Sequence, residues 1–322
     1  MDREARGIPV RLNRPFVGIP SFLRSPICTR LEELDASIAV LGVPTDEGSP
    51  FLPGARFGPR GIREHSLRFG AGGRGVFDAR TGRRFLEYEM ANRRLVDVGD
   101  VDVVPTDVAG TFERITRMTQ ELVGRGTLPV LLGGDHAITF PVVRGFGGPL
   151  HVFHFDAHTD YAPSTDGLEM TNGHAFRHIR RMGHVETLTQ VGIRGLRTST
   201  ADSIADGNRV ITMEEFRGLS PAALVEPLPP DARCFVSIDI DALDLSLVPG
   251  TVSAEPEGMS YSQLRDALAA LAWRAEIVGF DLVEVNPLLD VATGVTSYLA
   301  AYLIIEFLGH ICEQPRWRER RS

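Results

Sequence analysis

The chain contains no lysine, so all 34 of its basic residues are arginine. Several kinds of catalytic site need an ammonium side chain that can lose or share a proton, among them the P-loop nucleotide site, the pyridoxal Schiff base and the lysine general base. None of these can operate here. A codon bias towards arginine is the simplest explanation, so the absence excludes mechanisms without indicating one.

Cysteine is also scarce, and the three present, Cys28, Cys234 and Cys312, are odd in number and lack the spacing of metal ligands. They are typical of reduced thiols in a cytoplasmic protein. The first residues contain no apolar leader, and the most apolar stretch, residues 297–308, carries Glu306 and is too short to span a bilayer. We therefore expect a cytoplasmic protein without a membrane partner.

Negative charge exceeds positive charge, with 42 acidic residues against 34 basic ones and a formal charge of −8. Such a surface does not favour a phosphate backbone, so nucleic acid is not an expected partner. The 322 residues fit one large domain or two ordinary ones. Because no repeat, polar linker or low-complexity run divides them, we predict a single domain over residues 1–322, with an N-terminal arm at 1–33 and a basic tail at 316–322.

Short β-branched apolar runs alternate with longer segments of helical period, which is the pattern of a parallel sheet covered by helices on both faces. The sequence thus predicts an α/β fold of three αβα layers with a central, mainly parallel sheet of about eight strands. The predicted strands are residues 37–42, 95–98, 128–132, 150–155, 187–191, 209–212, 233–238 and 277–282.

Predicted helices include residues 108–125, 261–273 and 293–308. The second follows Ser260, and Gln263 lies three positions later, which is a capping-box pattern. Residues 69–84 and 161–173 are predicted to be irregular.

Polar residues follow three of the predicted strands, at the edge of a parallel sheet where ligands usually bind. They are Gly133-Gly-Asp-His136, Asp156-Ala-His-Thr-Asp160 and Asp239-Ile-Asp241. Alternation along an extended chain places Asp156, His158 and Asp160 on one side, and does the same for Asp239 and Asp241. Two imidazoles and several carboxylates are therefore expected to converge.

So many carboxylates cannot share a partly buried cleft as bare anions, because repulsion and desolvation would force several to protonate. The predicted metal ligands are His136, Asp156, His158, Asp160, Asp239 and Asp241. Their four negative charges balance two divalent ions, and oxygen and imidazole donors without thiolate favour Mn²⁺ over structural Zn²⁺. Two such ions, roughly 3.5–4 Å apart, lower the pKa of a shared water and deliver hydroxide to an electrophilic carbon. Hydrolysis is the predicted class of reaction.

Glu284 follows the predicted strand 277–282 and stands outside the metal set. A carboxylate there can accept a bidentate hydrogen bond from a planar cation such as a guanidinium. From composition alone, a salt bridge between Glu284 and one of the many arginines is an equally good explanation.

These fragments, with the third extended to Ser237-Ile-Asp-Ile-Asp-Ala-Leu-Asp244, resemble the three signatures of the ureohydrolase family, which comprises arginases, agmatinases and other amidinohydrolases. The resemblance runs from about residue 18 to 307 and includes Pro53-Gly-Ala-Arg-Phe-Gly-Pro59. It implies a three-layer parallel sheet, two Mn²⁺ on the six ligands, hydroxide attack on a guanidinium carbon and release of urea. It also implies that Glu284 holds the guanidinium and that the chain forms a homo-oligomer, a trimer or a hexamer.

Ala162 stands where arginases carry an asparagine that helps to hold the α-carboxylate, as in agmatinase-like members. The predicted reaction is therefore hydrolysis of agmatine to putrescine and urea, and Asp166 and Glu169 are candidates to meet the amine. An alternative is a guanidino acid such as 4-guanidinobutyrate or 3-guanidinopropionate, its carboxylate paired with Arg177, Arg180, Arg181, Arg194 or Arg197. Formimidoylglutamate hydrolysis and a non-catalytic metal-binding homologue are more remote alternatives.

Asn172 occupies the position of the proton-shuttle histidine of many family members, and His174 lies two positions later. An amide cannot relay a proton at neutral pH. Either His174 acts from its shifted position, or a water does so, or the leaving group is less demanding. The loop 248–258 also departs from the family pattern, with Val252 for Gly and Ala254 for Pro, and its Thr251 is a candidate substrate-binding residue.

Overall fold

The computed structural model describes residues 14–70, 73–164 and 169–319. Within them the chain forms ten strands, in chain order β1 (Ile38–Val43), β2 (Val76–Asp78), β3 (Arg83–Phe85), β4 (Leu95–Asp100), β5 (Leu128–Gly133), β6 (Leu150–Phe155), β7 (Val185–Ile193), β8 (Arg209–Thr212), β9 (Arg233–Asp239) and β10 (Glu276–Val283). Eight of them form one sheet in the order β4-β1-β5-β10-β9-β6-β7-β8, and every neighbouring pair is parallel.

Helices cover both faces of this sheet. They are α1 (Gly58–Ser66), α2 (Glu87–Ala91), α3 (Val108–Gly124), α4 (Thr139–Val143), α5 (Ala175–Arg180), α6 (Ala201–Ala205), α7 (Met213–Arg217), α8 (Pro221–Val225), α9 (Tyr261–Arg274), α10 (Val295–Cys312) and α11 (Pro315–Glu319). One core joins the sheet to α1, α9 and α10, and a second joins it to α3, α4 and α5. Because the strands between the two cores are buried on both faces, β1 and β5 are apolar at nearly every position.

The predicted αβα sheet of eight strands is confirmed. The predicted runs 150–155 and 209–212 coincide with β6 and β8. Strand β1 begins and ends one residue later than predicted, and the other strands extend by one or two residues at one or both ends. The capping box is also present, since the Gln263 N–H donates to the Ser260 hydroxyl and the Gln263 side chain accepts from the Ser260 N–H. Residues 69–84, predicted to be irregular, contain β2 and part of an antiparallel hairpin. Strands of three residues are too short to show periodicity.

Helix α10 starts at Val295, two residues later than predicted, because Gly294 adopts a left-handed conformation with φ +65°. The helix has 18 residues and is apolar enough to cross a membrane by length and composition. The length of α10 is therefore compatible with a membrane-spanning helix, contrary to the sequence-based expectation, but its position inside the structure argues against one. It packs against α1 and α9, and 72% of it is buried inside the structure, as in the core helix of a globular domain.

The predicted arm and tail are partly ordered. Residues 1–13 and 320–322 lie outside the described residues, but Phe22 and Leu23 are buried in the core. The Phe22 N–H donates to Asp97 at the edge strand β4. At the other end Trp317 on α11 is buried.

The strand order brings four chain segments to one place. Strands β5, β10, β9 and β6 are consecutive neighbours at the centre of the sheet, although β9 and β10 follow the other two by many residues in the chain. Since all four are parallel, the residues that follow each of them meet at the same edge.

Candidate active site

Each predicted ligand lies just beyond the carboxyl end of a central strand. His136 begins a short 3-10 helix after β5, Asp156 to Asp160 follow β6, and Asp239 ends β9 with Asp241 in the next turn. The two glycines before His136 are required by packing, since a Cβ on Gly134 would come within 2.2 Å of the Thr45 carbonyl oxygen.

The six side chains form two groups that share Asp156. His136 Nδ1 is 3.1 Å from a carboxylate oxygen of each of Asp156, Asp160 and Asp239. His158 Nδ1 is 3.3 Å from Asp156 and 3.2 Å from Asp241. The structure therefore brings all six predicted ligands together around two adjacent positions.

Backbone hydrogen bonds hold these carboxylates in place. The His158 N–H donates to Asp156, the Asp241 N–H donates to Asp239 at 2.8 Å, and the Ala157 N–H donates to Asp241 at 3.1 Å. Asp160 has φ +45°, a left-handed conformation that is unfavourable for a residue with a side chain. The site thus imposes local backbone strain.

A buried polar chain behind His136 fixes its tautomer. The Ser237 hydroxyl donates to Asp281 at 2.6 Å, so its oxygen can accept from His136 Nε2, which lies 2.9 Å away. Thr139 donates to the other Asp281 oxygen at 2.7 Å. Since Nε2 donates to Ser237, Nδ1 is the nitrogen that faces the three carboxylates, and it can bind a metal once it has lost its proton.

A second buried chain lies behind Asp156. The Gln190 amide is 3.0 Å from His154 Nδ1, and His154 Nε2 is 2.7 Å from an Asp156 oxygen. An amide N–H can only donate, so Nδ1 accepts and Nε2–H donates to Asp156. His154, Asp156 and His136 are close enough to form a ligand group themselves. However, both nitrogens of His154 are already engaged, so His154 is better described as the partner that orients Asp156.

The charges of the six side chains favour a bound cation. Burial opposes protonation of His136 and His158, but hydrogen bonds to the carboxylates outweigh burial and raise both pKa values, that of His158 to about 12. Burial and repulsion from neighbouring carboxylates raise the pKa values of Asp239 and Asp241, and that of Asp160 to about 6. Without a metal ion, the raised pKa values of these histidines and aspartates favour their protonated forms. Oxygen and imidazole donors with this excess negative charge fit two divalent ions.

Glu284 lies beside the ligand set but outside it. Its Oε1 accepts the His136 N–H at 2.9 Å and the Asn172 side-chain amide at 3.4 Å. The residue has φ +63°, and its own N–H donates to the Gly134 carbonyl at 2.8 Å. Burial and the nearby Asp135 raise the pKa of Glu284 to about 8. A cation at Glu284 would favour its ionised form.

A cavity of about 710 Å³ opens over the site. Its floor includes His158, Asp160, Asp239, Asp241 and Glu284, and its walls include Thr159, Tyr161, Ala162, Asn172, Gly173, Arg197, Thr198, Ser199, Asp202, Thr251, Val252 and Ser253. Thr251 is 7% exposed, and its hydroxyl is buried without a hydrogen-bond partner. That hydroxyl is available to a ligand in the cavity.

Two other predicted site residues among the described ones, His174 and Glu169, do not line the cavity. His174 Nδ1 bonds to the Thr171 hydroxyl at 2.6 Å, and its ring is not part of the described cavity wall, whereas Asn172 is. Glu169 is also absent from that wall, and its carbonyl accepts from His178. Asp166 lies outside the described residues.

The comparisons with known proteins agree with this geometry. A model of the arginase family matches residues 36–309. The chain belongs to the arginase family. The resemblance stated from the sequence is thereby confirmed, and this arginase-family chain is a hydrolase that acts on C–N bonds of linear amidines.

Arginase-family relatives match almost the whole chain. It is 35% identical to the human mitochondrial guanidino acid hydrolase over 320 residues, which are 96% of this chain and 86% of that protein. It is 36% identical to the mitochondrial agmatinase of Gallus gallus over 305 residues, 91% of this chain and 85% of the relative. The solved structure of proclavaminate amidinohydrolase from Streptomyces clavuligerus superposes with a TM-score of 0.81 at 30% identity, covering 92% and 98% of the two chains.

Sequence reasoning missed the roles of the residues behind the ligands, namely Thr139, His154, Gln190, Ser237 and Asp281. The arginase family depends on a binuclear metal centre, and these residues orient its candidate ligands. A signal was present in two strands, because His154 and Asp281 interrupt otherwise apolar runs. Buried strands rarely contain an ionisable residue without a specific partner.

We expect Mn²⁺ to stabilise the protein more at high pH than at low pH. The raised pKa values of His158 (about 12), Glu284 (about 8) and Asp160 (about 6) mean that the metal-free fold binds more protons than the unfolded chain. Its stability must then fall as pH rises from about 6 to 8. Metal binding replaces the protons on the candidate ligands His158 and Asp160. Thermal unfolding with and without Mn²⁺ at both pH values checks this.

Asp239→Ala should remove the Mn²⁺-dependent shift of the melting temperature, and Asp266→Ala on the surface of α9 should keep it. An equal Mn²⁺ shift at pH 6 and pH 8, or two ions still bound to Asp239→Ala, would refute the assignment of the ligands.

Gln190→Leu should weaken metal binding. His154 loses the amide donor that fixes its tautomer, so its Nε2 is no longer held as a donor to Asp156. We expect a loss of affinity of about 10-fold, the lower end for partners of ligands. Titration with Mn²⁺ measures it, and Gln120→Leu on the exposed side of α3 is the matched control. Unchanged affinity in Gln190→Leu would mean that the chain behind Asp156 does not support the metal.

Proposed function

We propose that the chain is a dimanganese hydrolase that splits the guanidinium group of a small linear compound into urea and an amine. The observation that carries this proposal is the position of Glu284, a buried carboxylate outside the ligand set that shares one cavity with Asp239 and Asp241. The reaction consumes one water, breaks one C–N bond and leaves urea and a protonated amine.

In this proposal Glu284 binds the guanidinium group of the substrate. The His136 N–H and the Asn172 amide hold Oε1, which leaves Oε2 and the remaining lone pair of Oε1 for the N–H groups of the substrate. A guanidinium beside the carboxylate lowers its pKa from about 8 and keeps it ionised. The planar fork of a guanidinium matches a carboxylate in two parallel hydrogen bonds. The substrate carbon is then oriented over the ligand set.

The residues that would hold two Mn²⁺ are His136, Asp156, His158, Asp160, Asp239 and Asp241. When bound, the two ions supply the Lewis acidity that makes water a nucleophile at neutral pH. The His154 and Ser237 chains keep Asp156 and His136 in position for this role.

The leaving nitrogen must gain a proton. Asn172 lines the cavity but its amide cannot relay one, and His174 faces Thr171 rather than the cavity wall. We therefore propose that water in the cavity donates this proton to the leaving nitrogen.

The substrate predicted from the sequence is agmatine, and its main alternative is a guanidino acid. The two differ only at the end remote from the guanidinium, where one is cationic and the other anionic. The human relative is named a guanidino acid hydrolase and the chicken relative an agmatinase, at nearly equal identity. The cationic Arg197 in the cavity wall favours the guanidino acid.

An assay of urea tests the proposal. Mn²⁺-loaded protein is incubated with agmatine, 4-guanidinobutyrate, 3-guanidinopropionate, arginine, guanidine and formimidoylglutamate, and urea and formamide are measured. We expect urea from a linear guanidino compound, and a drop in kcat/KM of about 100-fold in Glu284→Gln, which loses a charged hydrogen-bond partner. Glu121→Gln on α3 is the control.

Glu284→Gln must still bind two ions for this loss to be assigned to the substrate. Formamide as the sole product would replace the proposed substrate class by formimidoylglutamate. No turnover of any compound by protein with two ions bound would overturn the enzyme proposal and favour a non-catalytic homologue.

His174→Ala should keep kcat within about twofold, because a residue outside the reaction path does not contribute the 10²- to 10⁴-fold of a general acid. His174→Gln, which retains a hydrogen-bonding group towards Thr171, controls for a structural effect. A loss of 100-fold or more in both variants, with an altered pH profile, would restore His174 as the shuttle.

A further inference from the structure

The mouth of the cavity carries an arginine that the ligand set and Glu284 do not use. Of the five arginines that the sequence offered as carboxylate partners, Arg197 alone is in the described cavity wall. Glu284 is 6% exposed, whereas the Arg197 side chain is 72% exposed. The two residues therefore stand at the floor and at the mouth of one cavity.

Other arginines near the cavity are already engaged. Arg194 donates to the carbonyl oxygens of Asp241, Leu243, Glu255 and Pro256, so its guanidinium ties loop segments together. Arg177 donates to Asp202 at 2.7 Å and lies over the Tyr161 ring. Neither can turn to a ligand without breaking these contacts.

Arg197, in contrast, is held by one ion pair, and its own side chain is largely exposed. Its Nη2 lies 3.3 Å from Glu255 Oε1, and Glu255 is itself 3.8 Å from His158 Nε2. Because solvent screens the exposed Arg197 guanidinium, the pair contributes little to stability, and Arg197 can exchange Glu255 for another anion at small cost. Gly195 leaves the space for Glu255, since a Cβ there would lie 3.0 Å from the carboxylate carbon.

The neighbouring Thr198 provides a second, independent observation. It lines the cavity, and its hydroxyl is buried without a hydrogen-bond partner among the described residues. A buried hydroxyl without a partner is unfavourable. A guanidinium and a free hydroxyl on adjacent residues of one cavity wall suit one carboxylate, which accepts from both.

The cavity wall offers little to a distal ammonium. Among its described residues, Asp160, Asp239 and Asp241 are in the metal set and Glu284 takes the guanidinium. The remaining carboxylate, Asp202, is paired with Arg177, which is itself largely buried and held over the Tyr161 ring. The described part of the wall therefore favours a substrate with an anionic end.

We infer that Arg197 and Thr198 bind a carboxylate at the far end of the substrate, and that the substrate class is the linear guanidino acids. This inference rests on the proposed hydrolysis of a guanidinium at Glu284. It makes Arg197 the residue that selects a guanidino acid over agmatine.

The test compares 4-guanidinobutyrate with its neutral isostere 4-guanidinobutanamide and with agmatine, in wild type, Arg197→Met and the control Arg181→Met. Arg181 is exposed after α5 and lies outside the described cavity wall. We expect wild type and Arg181→Met to prefer the acid to the amide at least 10-fold in kcat/KM. Arg197→Met should lose about 10- to 100-fold for the acid, mainly in KM, and little for the amide.

Thr198→Val should lose a smaller part of the same preference for the acid, and the metal content of every variant should equal that of wild type. Urea formation from agmatine in preference to the acid, with the acid unaffected in Arg197→Met, would overturn the inference and leave the proposed hydrolysis intact.

If no compound is hydrolysed, the proposed function fails, and calorimetric binding to the Mn²⁺-loaded protein decides the inference separately. Tighter binding of 4-guanidinobutyrate than of its amide, lost in Arg197→Met and kept in Arg181→Met, would support the carboxylate site. Equal binding of acid and amide by wild type would refute it.

Discussion

Mutual repulsion among buried carboxylates is the constraint on which this site depends. Asp156, Asp239 and Asp241 are almost completely buried at the centre of the sheet, and Asp160 lies beside them. Such a cluster is unfavourable unless protons or metal ions balance it. The raised pKa values of His136 and His158 show the first solution, and the arrangement of donor atoms fits the second. The same cluster thus creates the need for a cation and supplies its ligands.

The helical layers matter because they hold polar residues against this cluster. Thr139 on α4 bonds to Asp281, which connects through Ser237 to His136. Ser203 on α6 bonds to Gln190, which connects through His154 to Asp156. Both hydrogen-bonded chains thus include a residue from outside the sheet. These chains are fully buried and have their partners, which favours a single geometry over several. The orientation of the ligands therefore depends on the packing of all three layers.

The sequence was sufficient for the sheet and for the convergence of the candidate ligands, because both follow from local patterns. Buried parallel strands are read from apolar runs, and His136, Asp156 and Asp239 stand directly after three of them. Their convergence required only that parallel strands end at one edge. The role of Gln190 was beyond such reasoning, since its meaning depends on a contact with His154 from a neighbouring strand.

The directions in which side chains point could not be predicted from the sequence either. His174 and Asn172 lie two residues apart in one short turn, but one faces Thr171 and the other faces Glu284. Sequence spacing could not separate Arg197 from Arg194 either, because the difference lies in the carbonyl groups that surround Arg194. Which side chain is free to meet a ligand is a property of the packed structure.

Glu284 and Asp160 both hold left-handed backbone conformations. Glycine adopts this conformation without a steric penalty, and asparagine tolerates it better than most residues. Selection for stability alone would favour glycine at both positions, yet the chain retains a carboxylate at each. At these two positions of the site the fold is therefore less stable than its own backbone would permit, because each position holds a carboxylate in place of a relaxed chain.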